Sequence, residues 1–217
     1  WVFKIEESKN KTAKLKFGDL FNAQISIATL LNQAFIIKPN RNIDSNCNIE
    51  EEVIKPAKSP RNLAYNIKEQ IIFPYYYKDG KLMKYKPEEF EVKYPGAVRH
   101  LKAFEDKLEK RNKDLSAKWF EYGRSQALSH LNQEKLLIST VVTDNIKVYE
   151  LTKEDIPYSG IYITSKNGTS LEHAKQILNS EDFIEYVNNI GIQASGKSLR
   201  ITPKDVNNFE FDMEVAV

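Results

Sequence analysis

The stretch from Ile177 to Phe211 reads ILNSEDFIEYVNNIGIQASGKSLRITPKDVNNFEF, and the order of its elements decides how the chain is read. Within it, Gly191-Ile-Gln-Ala-Ser-Gly196-Lys197-Ser198 satisfies the phosphate-loop pattern G-x-x-x-x-G-K-[ST]. That loop cradles phosphate only when a strand leads into it and a helix leads out. Here Ser180 is placed to cap a helix, with Phe183, Tyr186, Val187 and Ile190 following at helical spacing. Gly191 stands where a C′ glycine would end that helix. Lys197 to Thr202 alternates and stops at Pro203, as a strand does. The order is helix, loop, strand. No helix N-terminus is aimed at the loop, so the match carries no anion site.

Working outward, the preceding segment gives Thr169-Ser-Leu-Glu172 as a capping box, with Leu171, Ala174, Ile177 and Leu178 inward. Three strands are read before it: Lys135 to Thr143, Ile146 to Leu151 and Gly160 to Ser165. Further back, Ile71 to Tyr77 and Lys81 to Tyr85 flank Asp79-Gly80, a pair that tight hairpins prefer. Pro74 lacks a ladder donor and belongs at an edge or bulge. The Tyr75–Tyr77 run suits cross-strand packing better than a platform for stacked bases. Pro95-Gly96 introduces a helix over Ala97 to Arg111 with Val98, Leu101, Phe104 and Leu108 on one face. Ala34 to Ile37 reads as a buried strand ended by Pro39, Ile49 to Ala57 as a short helix, Trp1 to Ile5 as a strand, and Glu6 to Lys11 as a solvated turn. These elements make an α+β domain: a twisted mixed, mainly antiparallel sheet with peripheral helices.

With 217 residues, the chain is long enough to bury roughly 70% of the surface it would expose unfolded. A net charge of +2 gives no global polyanion signature, so a nucleic-acid binder would need its cations on one face. The richest supply is Arg99, Lys102, Lys107, Lys110, Arg111, Lys113 and Lys118, seven cations set among four carboxylates, which suits either an ion-paired solvated face or phosphate contact. From Asp205 onward the ionisable groups are all acidic, an unsuitable bed for DNA. The single Cys47 excludes an internal disulfide and fits a reducing, cytoplasmic setting. His100, His130 and His173 have no partners at metal-ligand spacing. No apolar run reaches the roughly 18 residues a membrane span needs. No G-x-G, adjacent prolines or G-x-S-x-G elbow is present, so the sequence carries no recognisable catalytic apparatus, cofactor loop or metal site.

Several pieces nevertheless occur in a familiar order. They are Lys16-Phe-Gly-Asp-Leu-Phe21 leading to Ala28–Ile37, Ile72-Phe-Pro-Tyr75, Tyr94-Pro95 before the basic helix, Trp119-Phe-Glu-Tyr-Gly-Arg-Ser-Gln126, Ile177-Leu-Asn-Ser180, and Gly196-Lys-Ser-Leu-Arg-Ile201 with Pro203-Lys-Asp205. Together they resemble the C-terminal target-recognition domain, of TaqI-like specificity type, of adenine-specific DNA methyltransferases in restriction–modification systems. Where that family usually has a glycine near position 27, this chain has Ser26-Ile27-Ala28.

The resemblance implies a domain, 1–217, that grips double-stranded DNA while a catalytic domain upstream in the same chain flips an adenine and methylates its N6 using S-adenosylmethionine. Side-chain chemistry then selects the contacts expected of such a domain. Arg124 suits guanine and Gln126 adenine, Thr29 and Asn32 come from the loop before Phe35, and Ser195 and Lys197 contact the backbone, with Arg99 and Lys102 on the basic helix. Each has a plainer alternative: an ion pair for Arg124, and turn chemistry for Thr29, Asn32 and Ser195. Trp119 and Tyr122 read as core. Other readings of the whole are a module of a fused restriction–methylation enzyme or a separate specificity subunit, a protein-interaction module, and a nucleotide hydrolase acting through Lys197.

Overall fold

The computed structural model describes residues 14–39, 48–143 and 145–212. The strand and turn expected before Lys14, Cys47 and the last carboxylate, Glu214, lie outside them. In chain order, β1 (Lys14–Lys16) passes through the single turn α1 (Phe17–Leu20) into β2 (Phe21–Ile25). A loop then reaches α2 (Asn32–Phe35) and β3 (Ile36–Ile37). Next come β4 (Ile54–Lys58), α3 (Pro60–Ala64), β5 (Glu69–Ile72), β6 (Tyr75–Lys78) and β7 (Lys81–Lys84). Three short helices follow: α4 (Pro87–Lys93), α5 (Pro95–Lys102) and α6 (Glu105–Glu109). After an irregular stretch come β8 (Lys135–Ile138), β9 (Val141–Val142), β10 (Tyr149–Leu151), β11 (Ile156–Pro157) and β12 (Ile161–Ser165). The chain closes with α7 (Leu171–Leu178), α8 (Glu181–Ile190), β13 (Ile192–Ser195), β14 (Ser198–Arg200), α9 (Pro203–Asn208) and β15 (Glu210–Asp212).

The organising layer is the antiparallel sheet β10–β8–β12–β2. All four residues of β8 are buried, as are Ile161 to Thr164 of β12, so this sheet is covered on both faces. Because side chains alternate along a strand, Leu137 and Tyr162 enter one core while Leu136, Ile138, Ile161 and Ile163 enter the other. The first core gathers Phe35, Ile71, Ile72, Phe73, Phe90, Leu101, Leu108, Phe120 and Tyr122. It is built on the mixed sheet β11–β4–β5–β3, in which only β11–β4 is parallel, and on α4 to α6. The second core takes Ala174, Ile177 and Leu178 from α7, Phe183 and Val187 from α8, and Val206 from α9. The α+β, mainly antiparallel reading holds, with the strands divided among several small sheets.

Local signals decided the clearest elements. Asp79 (φ 51°) and Gly80 (φ 75°) are both left-handed, as a type I′ hairpin turn requires, and pair Lys78 with Lys81. Ser180 caps α8, its hydroxyl accepting the Phe183 amide at 3.2 Å. The loop of the phosphate-binding pattern is the tip of the β13–β14 hairpin, with Gly196 at φ 56°, and no helix follows it directly.

Other expectations need correction. Helix α8 does end at Gly191, but with φ −63° rather than a left-handed cap. Glycine is required there because a Cβ would meet the Val187 carbonyl at 2.7 Å and the Leu199 Cβ at 2.9 Å. The cap of α7 is Ser170, accepting from the Glu172 amide, one residue past Thr169, the cap that the box implied. The expected 97–111 helix is two helices, since the Phe104 amide turns back to Leu101. Residues expected as a helix at 49–57 give a short 3₁₀ turn and then β4, because Ile54 to Ala57 find ladder partners on β5. Ala34 and Phe35 close the turn α2, leaving only Ile36–Ile37 as strand. Pro203 begins α9, where Thr202 and Asp205 cap each other's backbone amides.

Candidate nucleic-acid interface

The loop between β2 and α2 is held from below along its length. Ser26 is buried, its hydroxyl donating to the Gly160 carbonyl at 2.9 Å, and the Ile27 amide donates to Pro157. The next residues are laid against the segment 119–126: the Arg124 amide donates to the Ala28 carbonyl at 3.0 Å and the Gly123 amide to Thr29 at 3.2 Å. Thr29 is fully buried. Its hydroxyl donates to the Asn32 side-chain oxygen at 2.5 Å and accepts the Leu31 amide at 3.1 Å, a local turn that fixes Asn32 at the start of α2. Thr29 therefore shapes the loop, while Asn32 is exposed. Between them Leu30 sits at φ 57° and is 43% exposed.

Arg111, counted at the sequence level only as part of a basic tail, is the clamp. Its Nε donates to Leu108 at 3.0 Å, Nη1 to Thr29 at 2.5 Å, and Nη2 to Trp119 and Glu121 at 3.1 and 3.0 Å. All four acceptors are backbone carbonyls, so one guanidinium joins α6, the loop and the 119–121 segment. Burial pushes it below its ordinary value, although a guanidinium stays charged in any physiological range. With its fork engaged in this way, Arg111 is removed from the supply of phosphate-binding cations. Nothing in the sequence distinguished it from Lys110 or Lys113.

Under the loop lies an aromatic bed. The Tyr122 ring meets Phe35 edge-on at 5.0 Å and Tyr75 at 5.2 Å. The Tyr122 hydroxyl donates to Ile72 and its amide donates to the Tyr75 hydroxyl, both at 2.7 Å. Burial raises both phenols well above their ordinary value. Tyr75 is thus core, and the Tyr75–Tyr77 run is packing. Glu121, 1% exposed, pairs through Oε2 with Lys84 at 2.7 Å, while its Oε1 has no hydrogen-bond partner.

The exposed groups are carried on these two bonded stretches of loop. Arg124 forms an ion pair with Asp114 at 2.8 Å, and the other Asp114 oxygen accepts the Ser125 amide at 3.2 Å. The Arg124 hydrogen bond holds the Asp114 carboxyl below its ordinary value, with the Ser125 amide acting the same way. The ion-pair alternative for Arg124 is therefore present, and it fixes the direction of a guanidinium whose side chain is still 38% exposed. Gln126 follows, exposed. Asn32, Arg124 and Gln126 thus stand on two strands of loop that are bonded to each other.

Helix α5 flanks them, since His100 Nε2 lies 3.0 Å from the Ala34 carbonyl in α2. On it, Arg99 and Lys102 are exposed; Lys102 sits 5.8 Å over the Trp119 ring and 4.0 Å from Glu91. Ser195 and Lys197 are exposed too, but at the tip of a hairpin whose Leu199 packs on the second core, across the central sheet from the loop's Ile27. The structure therefore brings Thr29, Asn32, Arg124 and Gln126 together with α5 alongside, and leaves the hairpin separate. The acidic groups Asp182, Glu185, Glu210 and Asp212 line a cleft at the second core. Among the described residues no group of three or more His, Cys, Asp or Glu is arranged to hold a metal ion, and no helix is long and apolar enough to cross a membrane.

No protein-family profile and no curated protein sequence matches the chain. Its fold is similar to part of MmeI, a type IIL restriction-modification enzyme whose structure was determined in complex with DNA. The two share a TM-score of 0.62 at 12% identity, over 91% of this chain and 25% of MmeI. This chain thus has the fold of a segment of a restriction–modification enzyme and spans about a quarter of that enzyme's length.

Proposed function

We propose that this chain recognises duplex DNA by sequence, as the target-recognition part of a site-specific adenine methyltransferase. The observation that carries the reading is the convergence of Asn32, Arg124 and Gln126 on one clamped pair of loops. These side chains have the chemistry for base edges: a forked cation for guanine and amides for adenine. The likeness to a restriction-modification enzyme determined on DNA supports the same assignment. In this reading α5, with Arg99 and Lys102, lies along phosphates and sets the register. Lys197 and Ser195 reach the backbone from the separate hairpin. Thr29 acts through Asn32, by holding its side chain. The catalytic domain is upstream in the same chain and binds S-adenosylmethionine, which supplies the methyl group for N6 of a flipped adenine.

The test is selection of this chain against random duplex DNA at two salt concentrations, with sequencing of what is retained. Enrichment of one short sequence supports the reading and names the target. Retention that is salt-sensitive but blind to sequence reduces it to phosphate contact. No retention at low salt removes DNA recognition from this chain and leaves the protein-interaction reading.

A further inference from the structure

Leu30 is an outlier in two respects. It is a bulky residue at φ 57°, a region that side chains other than those of Asn, Asp and Gly avoid, and it is 43% exposed. Backbone strain of this kind persists only where the surroundings over-determine it. Here they do. The carbonyl of the residue before it accepts both Arg111 Nη1 and the Gly123 amide, and the amide after it donates to the Thr29 hydroxyl. The side chain itself lies on Gly123, where a Cβ would come within 2.5 Å of Leu30 Cδ1, 2.6 Å of Cγ and 2.9 Å of Cβ. An exposed leucine is thereby held against Gly123, the residue before Arg124, by the bonds that Arg111, Gly123 and Leu31 make to Thr29 on its N-terminal side.

We propose that Leu30 is a specificity-determining contact that reads thymine through its 5-methyl group in the major groove. The inference rests on the DNA-recognition reading above. Its chemistry is separate from that of its neighbours. Arg124, Asn32 and Gln126 offer hydrogen bonds, which distinguish guanine and adenine, whereas the mark of thymine in the major groove is an apolar methyl. A wedge between base steps needs a side chain that stands clear of the protein. Leu30 lies along Gly123 instead, which suits surface contact with a methyl and not insertion.

The experiment takes the duplex that this chain retains in selection and replaces each thymine in turn by deoxyuridine, which removes only the methyl. Dissociation constants are measured for the wild type, Leu30→Ala and Leu30→Gly. Glycine accepts the left-handed backbone, so the second variant keeps the loop even if alanine disturbs it. We expect one substitution to weaken wild-type binding about fourfold, the worth of one buried methyl, and to leave both variants unchanged at that position. The inference is overturned if no uridine weakens the wild type, or if the variants lose as much as the wild type does at every position. In those outcomes DNA recognition stands without Leu30. If the wild type retains no duplex, or retains it without sequence preference, the inference fails together with sequence recognition by this chain.

Discussion

Nη1 of Arg111 donates to the carbonyl oxygen of Thr29, 82 residues earlier, at 2.5 Å. This bond, with the three others from the same guanidinium, ties the loop to α6 and to the 119–121 segment. Arg111→Lys keeps the charge but loses the planar fork, and leaves at least one of the four carbonyls without its donor. We expect a loss of about 1–3 kcal/mol in denaturant unfolding. The salt dependence of DNA binding separates structural from phosphate cations. Lys102→Ala lowers the salt slope by about one, and Arg111→Lys leaves it unchanged.

Gly123 is needed for the close approach of Leu30 and not for its own φ, which is not among the left-handed ones. Gly123→Ala should destabilise the chain by about 1–3 kcal/mol through overpacking. The same change in a Leu30→Gly background should be close to neutral, because the atoms that the new Cβ meets are the leucine side chain. A double-mutant cycle by thermal or chemical unfolding measures the coupling, and additive effects would refute the contact.

Lys135 supplies a pH dependence. It is 1% exposed at the start of β8, paired with Leu151 of β10, with its Nζ donating to the Thr152 carbonyl at 2.6 Å. Burial lowers it from 10.5 to about 8, against the opposing pull of Asp155 and Glu154. Below pH 8 both folded and unfolded states carry the proton, so the full burden of the buried charge is present. Between about 8 and 10.5 the unfolded state binds the proton that the folded state has released, so stability rises with pH. Lys135→Met should raise stability at pH 7 by about 1–3 kcal/mol, less whatever is lost at the Thr152 carbonyl, and flatten the rise between pH 8 and 9.5. Urea midpoints at pH 7, 8 and 9.5 check both parts.

Much of the frame could be read from local chemistry. Asp79-Gly80 dictates its hairpin, Ser180 its helix, and the helix-before-loop order disposes of the nucleotide motif at Gly191–Ser198. What escaped was non-local. Ile54 to Ala57 become strand because β5 offers them partners, and no window around Pro56 contains that information. The helix at Pro203 is a different case: Thr202-Pro-Lys-Asp205 carries a local capping signature, obscured by the alternating run before it. In the candidate site, Asn32, Arg124 and Gln126 were legible as residue types suited to bases. Their juxtaposition was not, since it depends on the Ala28–Arg124 bridge, on Arg111 and on Gly123. An arginine that donates to four backbone carbonyls looks, in sequence, like any other cation.

The most direct measurement of the central claim is a map of amide hydrogen exchange with and without duplex DNA at low salt. The account predicts slowed exchange in residues 28–32 and 124–126 and along Arg99 to Lys102, with the acidic edge at Glu210–Asp212 unchanged. Protection at that acidic edge instead, or nowhere on the chain, would contradict it.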